Sequence, residues 1–229
     1  MNPRDPNVHL IEAAVEQLGD LTNKLVLVGG CTTGLLITDS ARPPARATMD
    51  VDLIVEALSI ASYYKVQDEL RWQGFKEDAE LSCRWRLGRL VIDVMPTDAR
   101  ILGFTNRWYQ RASERSEHQT LPSGRVLRVI SSPLFVATKL EAFHGRGQGD
   151  YGASHDIEDI VAVVDGRSEL IDDIAQADAD VRQYLEEEVD DLLSDIRFTS
   201  TLSYHLPGDA ANQGRIPTIL QRLRRIAGI

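Results

Sequence analysis

Three aspartates and a pair of glycines are the residues of this chain best placed to do chemistry. Gly29 and Gly30 follow the apolar run Leu25–Val28. A glycine pair at that point lets backbone N–H groups approach phosphate oxygens, and a short helix expected to run on through Ile37 adds the positive end of its dipole. Asp50 and Asp52 stand at i and i+2 of residues 49–55, which read as a strand, so both carboxylates are expected on one face. Two such carboxylates repel unless a cation lies between them, and Mg2+ suits that place. Asp93 sits within Leu90-Val-Ile-Asp-Val-Met, on a second expected strand. If that strand pairs beside the first, three carboxylates converge, enough for one or two octahedral Mg2+ ions that also bind substrate phosphates. Such a site performs phosphoryl or nucleotidyl transfer, with Asp93 as general base for an incoming hydroxyl. Taken singly, each aspartate reads equally well as a turn or surface residue. Order and spacing are what make the set specific.

The elements that must position these residues follow from apolar spacing and turn residues. Val8, Ile11, Val15 and Leu18 mark an amphipathic helix over 8–18, and a strand over 25–28 leads into the glycines. Residues 39–48, with Pro43-Pro44, form a loop. After the strand at 49–55 come a helix over 62–73 closed by Gly74, a strand candidate at 75–79, and strands at 83–87 and 89–95 joined through Gly88 as a hairpin. A second hairpin signal, Pro122-Ser-Gly, lies within 121–130. Beyond Ser131 the character changes to helices at 134–144, 155–164, 168–175, 181–198 and 217–226, with a glycine-rich loop at 145–152. Strands followed by helices imply an α+β fold: a mixed-sheet core over 1–130 and a C-terminal helical half over 131–229.

Composition narrows the class. The 229 residues suffice for one large domain or two small ones. No run approaches about 18 apolar residues, and the N-terminal residues lack the basic-then-apolar build of a signal peptide, so no membrane association and a cytoplasmic location are expected. Cys31 and Cys83 have no spacing for zinc and read as reduced, buried or half-buried thiols. His118, His144, His155 and His205 lack any spacing that would build a metal site. The net charge is −10, of which −9 falls in residues 131–229, and residues 165–195 alone hold 12 acids and 2 arginines. That run reads as a solvated helical face or a docking surface for a basic partner. The overall charge argues against nonspecific nucleic-acid binding but leaves room for a local basic patch. Trp72, Trp85, Trp108 and Tyr109, set among arginines, are either core anchors or a stacking surface for nucleic acid.

Gly29-Gly30, then about twenty residues, Asp50-Val-Asp52 and a distant Asp93 resemble the DNA polymerase-β-like nucleotidyltransferase superfamily. In finer detail, Val28-Gly-Gly-Cys-Thr-Thr-Gly, Arg46-Ala-Thr-Met-Asp-Val-Asp, Ala137-Thr-Lys-Leu-Glu-Ala and His155-Asp-Ile-Glu-Asp-Ile look like the AbiEii/AbiGii-type nucleotidyltransferases. Members of that group act as toxins of toxin–antitoxin or phage-defence systems, and the MenT toxins among them add nucleotides to tRNA ends. The resemblance spans about residues 25–165. It implies that Gly29 and Gly30 hold the nucleoside triphosphate, that Asp50 and Asp52 bind Mg2+, and that Asp93 completes the triad. It implies further that Lys139 reaches phosphate oxygens, that Asp156, with Asp159 one turn on, orients Lys139 or the nucleotide, and that Arg46 adds a phosphate contact. The superfamily commonly has Ser after the glycine pair, where this chain has Cys31; Thr32 or Thr33 could supply the hydroxyl.

The function expected is therefore Mg2+-dependent transfer of a nucleoside monophosphate from an NTP to a hydroxyl acceptor, RNA such as a tRNA end, by a toxin whose partner is an antitoxin protein. Two alternatives remain at this level. One keeps the chemistry with a small-molecule acceptor of the aminoglycoside kind, which the acidic C-terminal half suits. The other is an inactive nucleotide-binding or interaction module.

Overall fold

The computed structural model describes residues 5–57, 59–147 and 149–229. Two compact units emerge. One takes in the described residues up to Thr32 together with Arg46–Ser131, and the other joins Thr33–Ala45 to Ser132–Ile229. The chain is α+β, with one mixed seven-stranded sheet and a helical C-terminal part, as the order of strands and helices in the sequence requires.

In the first unit the strands are β1 (Leu25–Val28), β2 (Val51–Val55), β3 (Lys76–Glu77), β4 (Arg84–Leu87), β5 (Leu90–Pro96), β6 (Glu117–Thr120) and β7 (Val126–Val129). They lie in the order β3-β4-β5-β2-β1-β7-β6. β2 runs parallel to β5 and antiparallel to β1, and β1 runs parallel to β7. β1 is buried along its whole length, which is why it reads as an unbroken apolar run instead of an alternation. Helix α1 (Val8–Leu18) turns Ile11, Ala14, Val15 and Leu18 into the core beside β2 and β5. Helix α3 (Ile60–Trp72) begins two residues before the expected start, because Ser59 and Ser62 close a capping box. Its Tyr63 hydroxyl donates to the Val94 carbonyl at 2.8 Å. Two short helices, α4 (Ala99–Leu102) and α5 (Tyr109–Glu114), carry too little apolar periodicity to show in the sequence.

Trp85 and Trp108 are buried core anchors and present no stacking surface; only Trp72 of the three tryptophans is exposed. On β4 the strand alternation puts Arg84 and Arg86 on one side and the buried Trp85 on the other.

In the helical unit, α2 (Thr33–Leu36) packs on α7 (His155–Gly166), and α6 (Ser132–Arg146) packs on α7, α8 (Leu170–Gln176) and α9 (Ala179–Ser194). The helix expected over 181–198 ends at Ser194. Asp195 adopts an extended conformation and caps α10 (Ile196–Thr201) by accepting from the Arg197 N–H at 2.8 Å. After α11 (Ala210–Gln213), α12 (Ile216–Ile226) packs against α7, α8 and α9. Segment 33–45 is fastened to this unit by polar contacts. The N–H groups of Thr38 and Asp39 both donate to the Gly166 carbonyl at 2.9 Å. Asp165, 1% exposed, accepts from Arg42 Nε at 3.1 Å and from Arg215 Nε at 2.8 Å, while Arg215 also reaches Asp39 at 2.5 Å. The first acid of the 165–195 run is thus a buried pairing group. The outward acids of α9, Glu186, Glu187, Asp190 and Asp191, are solvated opposite its buried Val181, Leu185, Val189 and Leu192. Among the described residues no helix is long and apolar enough to cross a membrane.

Candidate active site

One row of the sheet gathers the chemistry. The register pairs Val28 of β1 with Asp52 of β2, Asp52 with Asp93 of β5, and Asp93 with Arg84 of β4. Registered residues of neighbouring strands share a face, so Asp52, Asp93 and Arg84 project to one side, at the end of β1 where the glycines begin.

Gly29 has φ +70°, and a Cβ there would stand 1.9 Å from Asp52 Oδ2. Only a residue without a side chain leaves room for this carboxylate. The chain then winds into a short 3-10 turn, Gly30–Thr32, that runs directly into α2. Thr32 and Cys31 both turn inward: the Thr32 hydroxyl donates to the Val28 carbonyl at 2.7 Å, and Cys31 Sγ lies 3.5 Å from the same oxygen. The Thr33 hydroxyl is buried and unpartnered in the helical unit. Of the two hydroxyls that could stand in for a serine, Thr32 and Thr33, that of Thr32 is thus spent on the backbone.

Asp50 departs from the sequence expectation in its backbone. It precedes β2 instead of lying within it, because its carbonyl accepts from the Thr48 hydroxyl at 3.2 Å in a local turn. A residue the sequence did not single out holds this turn. Buried Asn7 accepts from the Thr48 N–H and donates to the Arg46 carbonyl, both at 2.9 Å. Arg46 itself is half-buried.

The second residue that sequence reasoning missed is Arg84. Its Nε and Nη2 fork onto Asp93 Oδ1 and Oδ2 at 2.7 and 2.8 Å, and Nη2 reaches Asp50 Oδ2 at 2.6 Å. Hydrogen bonding to Asp93 holds this guanidinium's pKa above its usual value despite burial, so the positive charge is permanent. The signal was present in the sequence. A two-residue turn at Gly88-Arg89 pairs Leu87 with Leu90, and counting back along the hairpin brings Arg84 opposite Asp93. Nearby, burial pushes the Cys83 thiol up to about 11, with Asp93 adding to it.

Asp50, Asp52 and Asp93 offer only carboxylate oxygens, the donor set of a hard divalent cation such as Mg2+. Among the described residues no three His, Cys, Asp or Glu side chains are already gathered as a ready-made metal cage. Here Asp50 and Asp93 face the Arg84 guanidinium and Asp52 lies against Gly29. The donor chemistry fits the ion, and the protein's own cation holds two of the donors.

Lys139 and Asp156 belong to the helical unit. Lys139, 5% exposed, sets its ammonium 2.7 Å from Asp159 Oδ2 and 3.2 Å from Asp156 Oδ1. Arg146 forks onto Asp156 at 2.8 and 2.9 Å. Burial alone would raise the Asp156 pKa, but Arg146 and Lys139 together outweigh it and hold the carboxyl below its usual value. Two bases and two acids thereby neutralise one another within α6 and α7. Of the histidines, His144 pairs with Glu188, His155 with Glu158, and His205 Nε2 meets the Tyr151 carbonyl.

No family model and no curated protein matches this sequence. Solved structures do match in fold. An antigenic nucleotidyltransferase-like protein from Paracoccidioides brasiliensis superposes with a TM-score of 0.51 at 17% identity, covering 89% of this chain and 94% of that one. JHP933 from Helicobacter pylori superposes with a TM-score of 0.50 at 13% identity, covering 96% and 90%. The chain therefore has a nucleotidyltransferase-like fold across nearly its whole length.

Proposed function

We propose that this protein transfers a nucleoside monophosphate from an NTP to a hydroxyl acceptor in a Mg2+-dependent reaction. The observation that carries the reading is the registered row Val28, Asp52, Asp93 ending at the glycine turn, in which Asp52 needs Gly29 to be bare. Gly29 and Gly30 would admit the triphosphate to the backbone at the start of the turn. Asp50, Asp52 and Asp93 would hold Mg2+, which when bound would draw charge from the phosphates. Asp93 would accept the proton of the attacking hydroxyl. Arg46 would add a contact to phosphate. In the helical unit, the resemblance gives Lys139 a role toward phosphate, and its 3.2 and 2.7 Å contacts with Asp156 and Asp159 support these acids as the groups that orient its ammonium.

For the acceptor, the AbiEii-type motifs favour RNA, a tRNA end, and with it a toxin countered by an antitoxin protein. The solvated acids of α9 favour a second reading, a small cationic acceptor of the aminoglycoside kind. Incubation with each labelled NTP, Mg2+ and either total tRNA or a panel of aminoglycosides separates the two. Labelled RNA, lost in Asp52→Asn, is the expected result. Label on the drugs alone moves the reading to the small-molecule acceptor. No labelled acceptor with any of the four NTPs would sink both.

A further inference from the structure

Arg84 stands where the proposed reaction needs a different cation. Its guanidinium contacts both oxygens of Asp93 and one of Asp50 within 2.8 Å, and its side chain is 22% exposed. The β4–β5 register brings Arg84 directly opposite Asp93, which puts the guanidinium within reach of both acids. A planar fork bridging two carboxylates satisfies their charge and fills the space between them. A divalent ion bound to the same oxygens would lie against a fixed positive charge, and the two repel strongly in a half-buried place.

We propose that Arg84 is the resident counter-cation of the acidic site and that a divalent metal enters only by displacing it from Asp50 and Asp93. Before loading, Arg84 keeps the acids from repelling one another and so keeps β2, β4 and β5 in register. On loading, the metal takes over the carboxylates and the guanidinium swings off its fork, leaving a cation beside the site for phosphate oxygens. Arg84 is in this sense a positioning residue that sets metal affinity. The inference rests on the metal-dependent reading above, but its test reads metal binding and stability directly.

The experiment titrates Mn2+ by electron paramagnetic resonance into the wild-type chain, Arg84→Ala, Arg84→Lys and Asp52→Asn, and follows thermal unfolding in EDTA and in Mn2+. Arg84→Ala is expected to bind Mn2+ at least about tenfold more tightly than wild type, a gain of about 1.4 kcal/mol. Its melting temperature is expected to be lower in EDTA and to rise further on adding Mn2+ than that of wild type. Arg84→Lys keeps the charge but cannot bridge both acids, so it is expected to tighten binding several-fold; it also carries the test if Arg84→Ala does not fold. Asp52→Asn should lose binding. Equal or weaker Mn2+ affinity in the Arg84 variants, with wild type binding normally, overturns the displacement idea and leaves the metal-dependent reading standing. No Mn2+ binding in wild type or in either Arg84 variant overturns both.

Discussion

The carboxylate of Asp52 occupies the space that a side chain on Gly29 would need, its Oδ2 lying 1.9 Å from where that Cβ would be. Two positions 23 residues apart in the chain are therefore one constraint, enforced by the antiparallel pairing of Val28 with Asp52. Gly29→Ala is expected to displace Asp52 and to add about 1–2 kcal/mol of left-handed backbone strain. Nucleotide transfer should fall by at least about 100-fold, in line with the cost of small displacements of reacting groups. Gly19→Ala is the control, since Gly19 also has positive φ but a Cβ there meets nothing within 4 Å. It should lose stability in urea and keep activity.

Asn7 fixes the approach to Asp50 from a distance in sequence. Asn7→Ala removes the acceptor of the Thr48 N–H and a donor to the Arg46 carbonyl, which should cost about 1–3 kcal/mol in chemical denaturation. As Asn7 bears on Asp50 only through the 46–48 turn, kcat should drop more than KM rises. An unchanged kcat in a destabilised variant would confine Asn7 to a structural role.

Cys31 stands where the resemblance to the nucleotidyltransferases would put a serine, yet its sulfur faces the Val28 carbonyl and it is fully buried. Cys31→Ser should therefore leave the KM for NTP within about threefold, a difference below 1 kcal/mol by the tenfold-per-1.4 rule. A large improvement in KM would mean that the hydroxyl reaches the nucleotide after all.

Removing Lys139 leaves Asp156 and Asp159 buried beside each other with Arg146 as the remaining cation on Asp156. Breaking a buried pair in this way costs about 3–5 kcal/mol. Lys139→Ala should accordingly lower the denaturation midpoint sharply. Lys139→Met together with Asp159→Leu should recover part of the loss, since replacing both partners by apolar groups removes the unpaired charge.

The Asp156 carboxyl is held below its usual pKa, so its contribution to stability follows a definite sign. The unfolded chain binds the proton more readily, at about pH 3.9. The contribution is then complete above that value and is lost as pH falls through the lower folded value. Melting temperature against pH should therefore drop more steeply below about pH 4 in wild type than in Asp156→Asn. Parallel curves would show that Arg146 and Lys139 contribute nothing measurable there.

Much of this molecule is written locally. The apolar run of β1, the glycine turn at 29–30, the hairpin about Gly88 and the helices after Ser131 follow from residue type and short-range spacing, and so does the α+β class. What needed the tertiary structure is what depends on pairing between distant segments. Asp50 reads as a strand residue until Asn7 and Thr48 bend the chain before β2. Asp165 reads as the start of a solvated acidic face until Arg42 and Arg215 close on it. Thr32 reads as a phosphate contact until its hydroxyl turns to Val28. Arg84 reads as one arginine among several until the sheet sets it between two carboxylates. Patterns of period 2 and 3.6 fix which face of its own element a residue occupies, and the register between strands fixes which charges on that face must meet.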